Sequence, residues 1–305
     1  MKKIAIIILN WNRKDETIEC IKSLSHINYS NLQCEIVVVD NASTDGSIKE
    51  LGKLKLKFKI KIIINKSNLG FAAGNNVGIR YALKNNFDAI LILNNDTFVD
   101  KNLLVELVNI ADKSNNWGMI SPKIYFAKGF EFHKNKYSKK DLGKVIWSAG
   151  GEIDWNNVFG KNRGVDEVDE GQYDSDEEIE FATGACVFIN SEALSKCGQF
   201  DERYFMYFED VDLSVKIRNA GYKIYYAPKA VLWHKVAQSS GIGGGLNDYF
   251  ITRNRMLFAT LYAPFRTRFA ILREATKLLV VGRKWQKRGV IDFFTGKFGN
   301  GSWVV

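Results

Sequence analysis

The alternation of four apolar runs with helical segments is the feature that most restricts the fold of this 305-residue chain. The apolar runs predicted as strands are residues 4–9, 34–40, 57–65 and 89–93, and the predicted helices lie near 15–25, 45–54 and 74–85. Strands that alternate with helices form a parallel sheet covered on both faces. We therefore predict an α/β fold with a mostly parallel central sheet and flanking helices.

Polar residues follow each predicted strand at the point where its apolar run ends. After the first, second, third and fourth strands, respectively, they are Asn10 and Asn12; Asp40; Asn65 and Asn68; and Asn94, Asn95 and Asp96. The carboxyl ends of parallel strands share one edge of the sheet, and ligands bind at that edge. A carboxylate such as Asp40 can accept hydrogen bonds from ribose hydroxyls or a base N–H, so the pattern predicts a nucleotide site.

The residues after the first strand exclude two common classes of nucleotide-binding protein. They read LNWNRKDE instead of the G-x-G-x-x-G of dinucleotide-binding oxidoreductases, and the chain has no G-x-x-x-x-G-K-[ST] of a P-loop enzyme. The glycines follow the third strand in NLGFAAGNNVG. There Gly70 and Gly74 would allow a ligand to approach the backbone closely before a helix begins.

Asp96 indicates a divalent cation that holds a diphosphate. Mg²⁺ and Mn²⁺ prefer oxygen ligands and often use only one or two carboxylates together with phosphate oxygens. The alternative is that Asp96 or Thr97 caps a helix that begins near residue 100. His234 follows another strand-like run and is either a structural histidine or a further metal ligand across a pocket.

The second half of the chain is less regular. A helix predicted over 207–220 carries Glu209, Asp210 and Asp212 in its first turn, where acids are common for electrostatic reasons alone, and ends at Gly221. The acidic run 166–180 is expected on a solvated loop. The four cysteines include no C-x-x-C pair, which argues against a zinc site or a disulfide framework and favours a reducing cytoplasm.

Seven motifs in order resemble those of the family 2 glycosyltransferases over roughly residues 3–260: IILNWN, VVVDNASTDGS, NLGFAAGNN, LILNNDT, ATGACVFI, FDERYFMYFEDVDLSVKIRNAG and WHKVAQSSG. These are inverting enzymes of the GT-A fold that transfer a sugar from a nucleotide-diphosphate donor to an acceptor hydroxyl. The IWSAGGEID stretch is most similar to the rhamnosyltransferase branch. The fold that the resemblance implies is GT-A, Rossmann-like, with a helical C-terminal extension.

The resemblance also implies site residues. Asp210 would be the catalytic base, and Glu209 beside it would orient the acceptor or the base. The residues implied in nucleotide-sugar binding are Asn10, Asn12, Asp40, Asn68, Gly70, Gly74, Asn75, Asn95 and Arg253, and those implied in binding Mn²⁺ or Mg²⁺ are Asp96 and His234. The family usually has Asp-x-Asp after the fourth strand, and Asn94 replaces the first Asp, which removes one charge from the metal site.

Absent motifs narrow the implied activity to transfer of a single sugar. No Q-x-x-R-W motif or membrane helix of a processive synthase follows Asp210, and LNWNRK lacks the glycine-rich, Arg-containing loop of sugar nucleotidyltransferases. The expected donor is dTDP-rhamnose, followed by a UDP-hexose, and the expected acceptor is a glycan or lipid-linked glycan of the cell envelope. The alternative is a non-catalytic nucleotide-sugar or carbohydrate-binding protein, which would be expected to have lost Asp96, Asp210 or His234.

Charge divides the chain unevenly. We expect a catalytic domain over 1–252, with a nucleotide-binding half (1–115) and an acceptor half (116–252), followed by a basic amphipathic extension (253–305). The extension has 11 Lys and Arg and 2 acids, a balance of +9 that equals the net charge of the whole chain. It suits peripheral contact with the inner face of the cell membrane, or a docking helix with a solvated basic face. A nucleic-acid partner is not expected, because recognition motifs are missing.

Overall fold

The structure is a computed structural model that describes residues 2–29, 31–54, 56–133, 136–236 and 244–304. Its strands are β1 (Lys2–Asn10), β2 (Leu32–Asp40), β3 (Lys59–Ile64), β4 (Ala89–Asn94), β5 (Thr97–Val99), β6 (Trp117–Phe126), β7 (Ile146–Ala149), β8 (Gly151–Asp154), β9 (Phe159–Asn162), β10 (Glu177–Ile179), β11 (Cys186–Asn190) and β12 (Lys223–His234). Its helices are α1 (Lys14–Leu24), α2 (Ser47–Leu51), α3 (Gly70–Lys84), α4 (Leu103–Lys113), α5 (Ser191–Cys197), α6 (Glu209–Asn219), α7 (Gly245–Tyr262), α8 (Phe265–Val281) and α9 (Lys284–Phe294).

Ten of the described strands form one sheet in the order β10-β12-β6-β11-β4-β1-β2-β3, in which β5 pairs with β12 and β7 with β6. Strands β3, β2, β1 and β4 are parallel to one another, as predicted. Strand β11 runs antiparallel between β4 and β6, and β6 is parallel to β12. The predicted α/β class is confirmed, with a sheet that becomes mixed beyond β4.

Strand β1 shows why the sheet is covered on both faces. Ile4, Ile6 and Ile8 point into the core beneath α1 and α4, whereas Ala5 and Ile7 point into the core beneath α3. All five are fully buried. Because successive side chains of a strand point to opposite faces, an unbroken apolar run is what a doubly covered strand requires.

The strand register gathers the polar strand ends at one edge of the sheet. Asn10 lies opposite Asp40 in the β1–β2 pair, and Leu9 lies opposite Asn94 in the β1–β4 pair. Strand β5 then turns back and pairs antiparallel with the end of β12, which sets Thr97 opposite His234. This pairing brings Asp96, the residue before β5, beside the end of β12.

The C-terminal helices pack on α6 and the segments before it through one apolar cluster. The cluster includes Val211 and Val215 of α6, Phe258 of α7 and Val290 of α9. Helix α7 begins at Gly245, so the predicted boundary between 252 and 253 falls inside a helix that neither a proline nor an internal glycine interrupts. None of the described helices is both long and apolar enough to cross a membrane.

Part of the acidic run 166–180 has a structural role that the sequence analysis did not predict. Lys123 of β6 has a side chain only 3% exposed, and its Nζ lies 2.8 Å from Asp169 and 2.6 Å from Asp174. A buried ammonium group needs such partners, because desolvation of an unpaired charge is costly. The run also contributes β10, so it is not simply a solvated loop.

Candidate active site

A cleft of about 390 Å³ opens beside the ends of β4 and β12. Its walls come from the turn after β4, the segment before β11, the loop that leads into α6, and strand β9. The lining residues used below are Asn94, Asp96, Trp147, Phe159, Phe181, Thr183, Gly184, Met206, Tyr207, Glu209, Asp210, His234 and Ile251. A volume of this size falls within the range of small-molecule sites.

Asp96 and His234 form a pair on one wall of the cleft. Asp96 Oδ1 lies 3.0 Å from His234 Nε2, and the Lys235 N–H donates to the Asp96 carbonyl at 2.9 Å. Asp96 caps no helix; Asn102 precedes α4, and its N–H donates to Asp100. The structure therefore disfavours the capping alternative and aims the Asp96 carboxylate into the cleft.

The donor set of this wall fits a divalent cation. His234 is 6% exposed, its Nδ1 has no hydrogen-bond partner among the described residues, and its ring packs edge-on against Trp147 at 4.9 Å. A carboxylate and an imidazole suit Mn²⁺ or Mg²⁺ only if other oxygens complete the coordination. No group of three or more acidic, His or Cys side chains in the described chain could hold a metal by itself.

Asp210 lies in the first turn of α6 and lines the same cleft. Its Oδ2 accepts a hydrogen bond from the Gly184 N–H at 2.9 Å, and its Oδ1 accepts one from the Val211 N–H at 2.9 Å. Burial raises the pKa of Asp210 above the usual value, although these two N–H groups favour the ionised form. The result is an oriented carboxylate that is more basic than an ordinary surface aspartate.

Glu209 is 5% exposed and lies beside Asp210 at the start of α6. Burial, followed by the charge of Asp210, raises the pKa of Glu209 well above the usual value. Its Oε2 is buried without a hydrogen-bond partner among the described residues.

Asp212, the third acid of this turn, instead accepts a hydrogen bond from Tyr262 and pairs with Lys216, so its role is structural. Helix α6 ends at Asn219, and Gly221, the predicted end of the helix, follows two residues later with φ +85°.

The polar edge near β1 and β2 is a hydrogen-bonded network outside the lining of the cleft. Asn10 and Asp40 are fully buried, and Asn10 Nδ2 donates to Asp40 Oδ2 at 2.7 Å. The Ser43 N–H donates to Asp40 Oδ1 at 2.8 Å. Both carboxylate oxygens of Asp40 therefore already have protein partners. In this structure Asp40 orders the edge, and a nucleoside would have to share the oxygens of Asp40 with Asn10 and Ser43.

The other predicted asparagines lie along or beside this edge. Asn12 is exposed and its Oδ1 accepts from the Thr44 N–H, and Asn68 Oδ1 accepts from the Gly70 N–H. Asn95 donates to Thr17 at 2.9 Å. Asn75 is 1% exposed and donates to the Phe71 carbonyl, while its Oδ1 has no hydrogen-bond partner among the described residues. The exposed Asn12 is the member of this set most accessible to a ligand.

Gly70 and Gly74 allow close approach of protein side chains, which differs from the predicted approach of a ligand. A Cβ on Gly70 would lie 2.5 Å from the ring of Phe205, and φ of Gly70 is +78°. A Cβ on Gly74 would lie 2.6 Å from Leu9 Cδ1, where α3 packs on β1. The glycine pattern therefore reports helix packing, because any side chain would push α3 away from its neighbours.

Arg253 does not line the cleft, so the predicted contact with the nucleotide sugar is not supported. The residue is fully buried in α7, with its guanidinium 5.0 Å from the ring centre of Phe250. Its Nη2 donates to the carbonyls of Tyr204 at 3.0 Å and Arg203 at 3.2 Å. The guanidinium is enclosed by protein, and its hydrogen bonds to these two carbonyls hold the loop before α6.

Sequence reasoning missed the apolar and backbone part of the lining. Trp147, Phe181, Thr183 and Gly184 come from β7 and the segment between β10 and β11. Their approach depends on β7 pairing with β6 and on β11 entering the sheet antiparallel. The sequence signal at these positions was that IWSAGGEID and ATGACVFI resemble family motifs, but that resemblance assigned no site residue within them.

The sheet order, the strand-end carboxylate and the acids at the start of α6 define a protein of the GT-A fold. Among solved structures, the chain is similar to a mannosyltransferase from Pyrobaculum calidifontis in complex with GDP-Man and Mn²⁺. That match has a TM-score of 0.55 and 15% identity, and it covers 96% of this chain and 74% of the other.

Sequence comparison gives the family. The model of glycosyl transferase family 2 matches residues 5–196, and the chain belongs to this family. A low-salt glycan biosynthesis hexosyltransferase of Haloferax volcanii is 29% identical over 224 residues, which cover 72% of this chain and 63% of that protein. An N-acetylglucosaminyl-diphospho-decaprenol L-rhamnosyltransferase of Mycobacterium tuberculosis is 23% identical over 218 residues, which cover 68% of each chain.

Proposed function

We propose that this protein transfers a single sugar from a nucleotide-diphosphate sugar to an acceptor hydroxyl, with inversion at the anomeric carbon. The observation that carries the proposal is one cleft of about 390 Å³ that contains both the Asp96–His234 pair and the buried acids Glu209 and Asp210. The first pair suits the diphosphate end of a donor. The second pair suits the acceptor hydroxyl.

Asp210 would act as the general base. In an inverting transfer the acceptor oxygen bonds to the anomeric carbon from the face opposite the diphosphate, and the bond between that carbon and the diphosphate oxygen breaks. The acceptor proton passes to the carboxylate of Asp210. Burial raises the pKa of Asp210, which brings its basicity closer to neutral pH and favours this proton transfer. The Gly184 N–H holds the carboxylate in place.

Asp96 and His234 would hold Mn²⁺ or Mg²⁺ together with the diphosphate. When bound, the cation would offset the negative charge that grows on the departing nucleoside diphosphate. The Mn²⁺ named with the Pyrobaculum structure supports this assignment. Asn94, which also lines the cleft, contributes a neutral amide where a second carboxylate would add charge, so the diphosphate would supply more of the attraction.

The donor and acceptor classes rest on the family relatives. A hexosyltransferase and an L-rhamnosyltransferase are among them, which supports dTDP-rhamnose or a UDP-hexose as the donor. The words glycan biosynthesis and diphospho-decaprenol in their names support a glycan or lipid-linked glycan as the acceptor. The same proposal places this acceptor in the cell envelope, reached from the cytoplasmic side.

The test is donor binding and hydrolysis across a panel of nucleotide sugars with and without Mn²⁺ or Mg²⁺. We expect one donor to be selected. Asp96→Ala should weaken metal-dependent donor binding by at least about tenfold, because it removes a direct ligand. Asp210→Asn should bind the donor normally and lose about 10²- to 10⁴-fold in turnover with an acceptor hydroxyl, because the amide cannot accept the proton. Asp112→Asn, an exposed acid on α4, is the control.

Two results would contradict the proposal. Failure of the wild type to bind any nucleotide sugar under all metal conditions would overturn it. Selective binding without turnover in the presence of glycan acceptors, unchanged by Asp210→Asn, would support the alternative of a non-catalytic nucleotide-sugar or carbohydrate-binding protein.

A further inference from the structure

Helix α8 carries an exposed apolar stripe along its solvent side. The large apolar residues on this stripe, with their exposed fractions, are Phe265 (82%), Phe269 (64%), Leu272 (36%), Leu279 (39%) and Val280 (75%). Their spacings of four, three, seven and one residues place them within an arc of about 100° on one side of a helix. A neighbouring side of the helix is already used, because Ile271, Ala275 and Leu278 pack into the apolar cluster with α7. The stripe is therefore left over after the fold is complete.

A row of cations lies beside this stripe. Arg266, Arg273 and Lys277 are exposed and recur at helical spacing next to the apolar residues. None of the three forms an ion pair with a carboxylate of the described residues. By contrast, Arg255 pairs with Glu274, the single acid of α8, and Arg283 pairs with Asp248. Apolar side chains flanked by unpaired cations are typical of a helix that lies in the interface of an anionic bilayer.

We propose that α8 binds the surface of an anionic lipid bilayer, with Phe265 and Phe269 inserted among the lipids and Arg266, Arg273 and Lys277 beside the headgroups. Charge complementarity favours this occupant over a second copy of the chain. Two copies joined through α8 would bring two unpaired basic rows together, and like charges at an interface are costly. An anionic membrane can accommodate the apolar stripe and the row of cations of α8 at once.

The position of α8 relative to the cleft fits this surface. A second cavity of about 160 Å³ lies among α7, α8 and α9, and it shares Phe159 and Ile251 with the catalytic cleft. Ile271 and Leu278, on the buried side of α8, line that second cavity. The proposed membrane surface is thus the outer side of the helix whose inner side lines the cavity next to the cleft.

The test is co-sedimentation of the full chain with vesicles, in the absence of nucleotide sugar. Vesicles of phosphatidylcholine alone are compared with vesicles of phosphatidylcholine and phosphatidylglycerol in equal parts, at low and high salt. We expect binding to the anionic vesicles only, weakened by salt. Phe265→Ser with Phe269→Ser should reduce the partition coefficient by at least about tenfold. Arg266→Gln with Lys277→Gln should reduce it about fivefold for each cation removed.

Matched controls make the outcome specific. Ile64→Ser removes an exposed apolar side chain on β3, and Lys139→Gln with Lys140→Gln removes two exposed cations elsewhere. Both should bind vesicles as the wild type does. Wild type that ignores anionic vesicles, or α8 variants that bind equally well, would overturn the proposal. So would a concentration-dependent dimer abolished by the phenylalanine variant, which would assign the stripe to a second copy. None of these results depends on the proposed transferase activity.

Discussion

At the scale of single residues, Glu209 has the most unusual environment of the proposed site. Burial and the neighbouring Asp210 raise its pKa well above the value of about 4.3 for a glutamate in an unfolded chain. The folded protein therefore binds this proton more tightly than the unfolded chain does. The stabilising effect is complete below about pH 4 and is lost as the pH rises through the raised folded pKa.

Replacement of Glu209 by Gln should reduce this pH dependence. We expect the free energy of unfolding of wild type to be lower at about pH 8 than at about pH 5, because the pKa of Glu209 is raised in the folded protein, and Glu209→Gln to lose less of it. The loss is about 1.4 kcal/mol for each pH unit over which the folded protein holds the proton and the unfolded chain has released it. Urea unfolding at both pH values measures the difference. Glu192→Gln, on an exposed side chain of α5, is the control. The same pH dependence in wild type and Glu209→Gln would contradict the effect of burial.

The predictability of the site differs from residue to residue. The proximity of Asp96 and His234 could be predicted from the sequence, because each follows an apolar run and the predicted metal site uses both as ligands. The environment of Arg253 could not be predicted, since a cation in a basic segment gives no sign that it will be buried against Tyr249 and Phe250. Its contacts come from residues about fifty positions earlier in the chain.

At the scale of elements, the loop before α6 is held in an unusual backbone conformation. Phe205, Tyr207 and Phe208 all have positive φ, which costs roughly 1–3 kcal/mol for each such residue. The loop is held on one side by α3, where the N–H groups of Phe71 and Ala72 donate to the Phe205 carbonyl. Helix α7 holds it on the other side. Since Phe208 directly precedes Glu209, this loop positions both acids.

Asn254 is the positioning residue on the α7 side. Its Nδ2 donates to the carbonyls of Tyr204 at 2.9 Å, Met206 at 2.8 Å and Tyr207 at 2.9 Å. We expect Asn254→Ala to destabilise the fold by about 1–3 kcal/mol, because buried carbonyls lose their donor. Turnover should fall more than donor affinity, because the loop carries the acids and not the Asp96–His234 pair. Melting curves and the separate kcat and KM of donor hydrolysis measure the two effects.

Two comparisons show whether the donor group is what matters at Asn254. Asn254→Asp keeps the size of the side chain and removes its N–H donors, so it should be at least as harmful as Asn254→Ala. Thr260→Ala, at an exposed position of the same helix, should leave kcat and stability close to wild type. A normal kcat in Asn254→Asp would show that the amide donors do not position the acids.

The same loop explains where element boundaries could and could not be predicted. Helix α3 was predicted from residue 74, where the apolar spacing begins, and it starts four residues earlier at Gly70. The N–H of Gly70 has a local partner in Asn68, but the N–H groups of Phe71 and Ala72 donate to Phe205, far away in sequence, so the apolar spacing alone did not mark the start. The first four strands were predictable because each is rich in apolar, mostly β-branched residues, although β3, at the edge of the sheet, is only partly buried. The antiparallel placement of β11 was not, since apolar content carries no direction.

At the scale of the whole molecule, α7–α9 share one apolar cluster with α6 and the loop before it. Val290 of α9 is fully buried there together with Val211 and Val215 of α6 and Phe258 of α7. Residues after α9 return to the same region, where the Ser302 N–H donates to Asp292 and Tyr249. Contacts of this kind couple the basic extension to α6 and the loop before it, although the change in composition at residue 253 suggested a separable segment.

We therefore expect the described chain to unfold in one transition. Val290→Ala should lower the free energy of unfolding by about 2 kcal/mol through the cavity that it leaves, and should shift tryptophan fluorescence and far-ultraviolet circular dichroism to the same lower urea concentration. Coincidence of the two signals is the test of cooperativity. The exposed Val280→Ala on α8 should shift neither signal. If Val290→Ala instead split the curve into two steps, with only the first displaced, α7–α9 would be an independent unit. Because α7 supplies Arg253 and Asn254 to the loop that carries Glu209 and Asp210, that early step would then abolish turnover while the sheet remained folded.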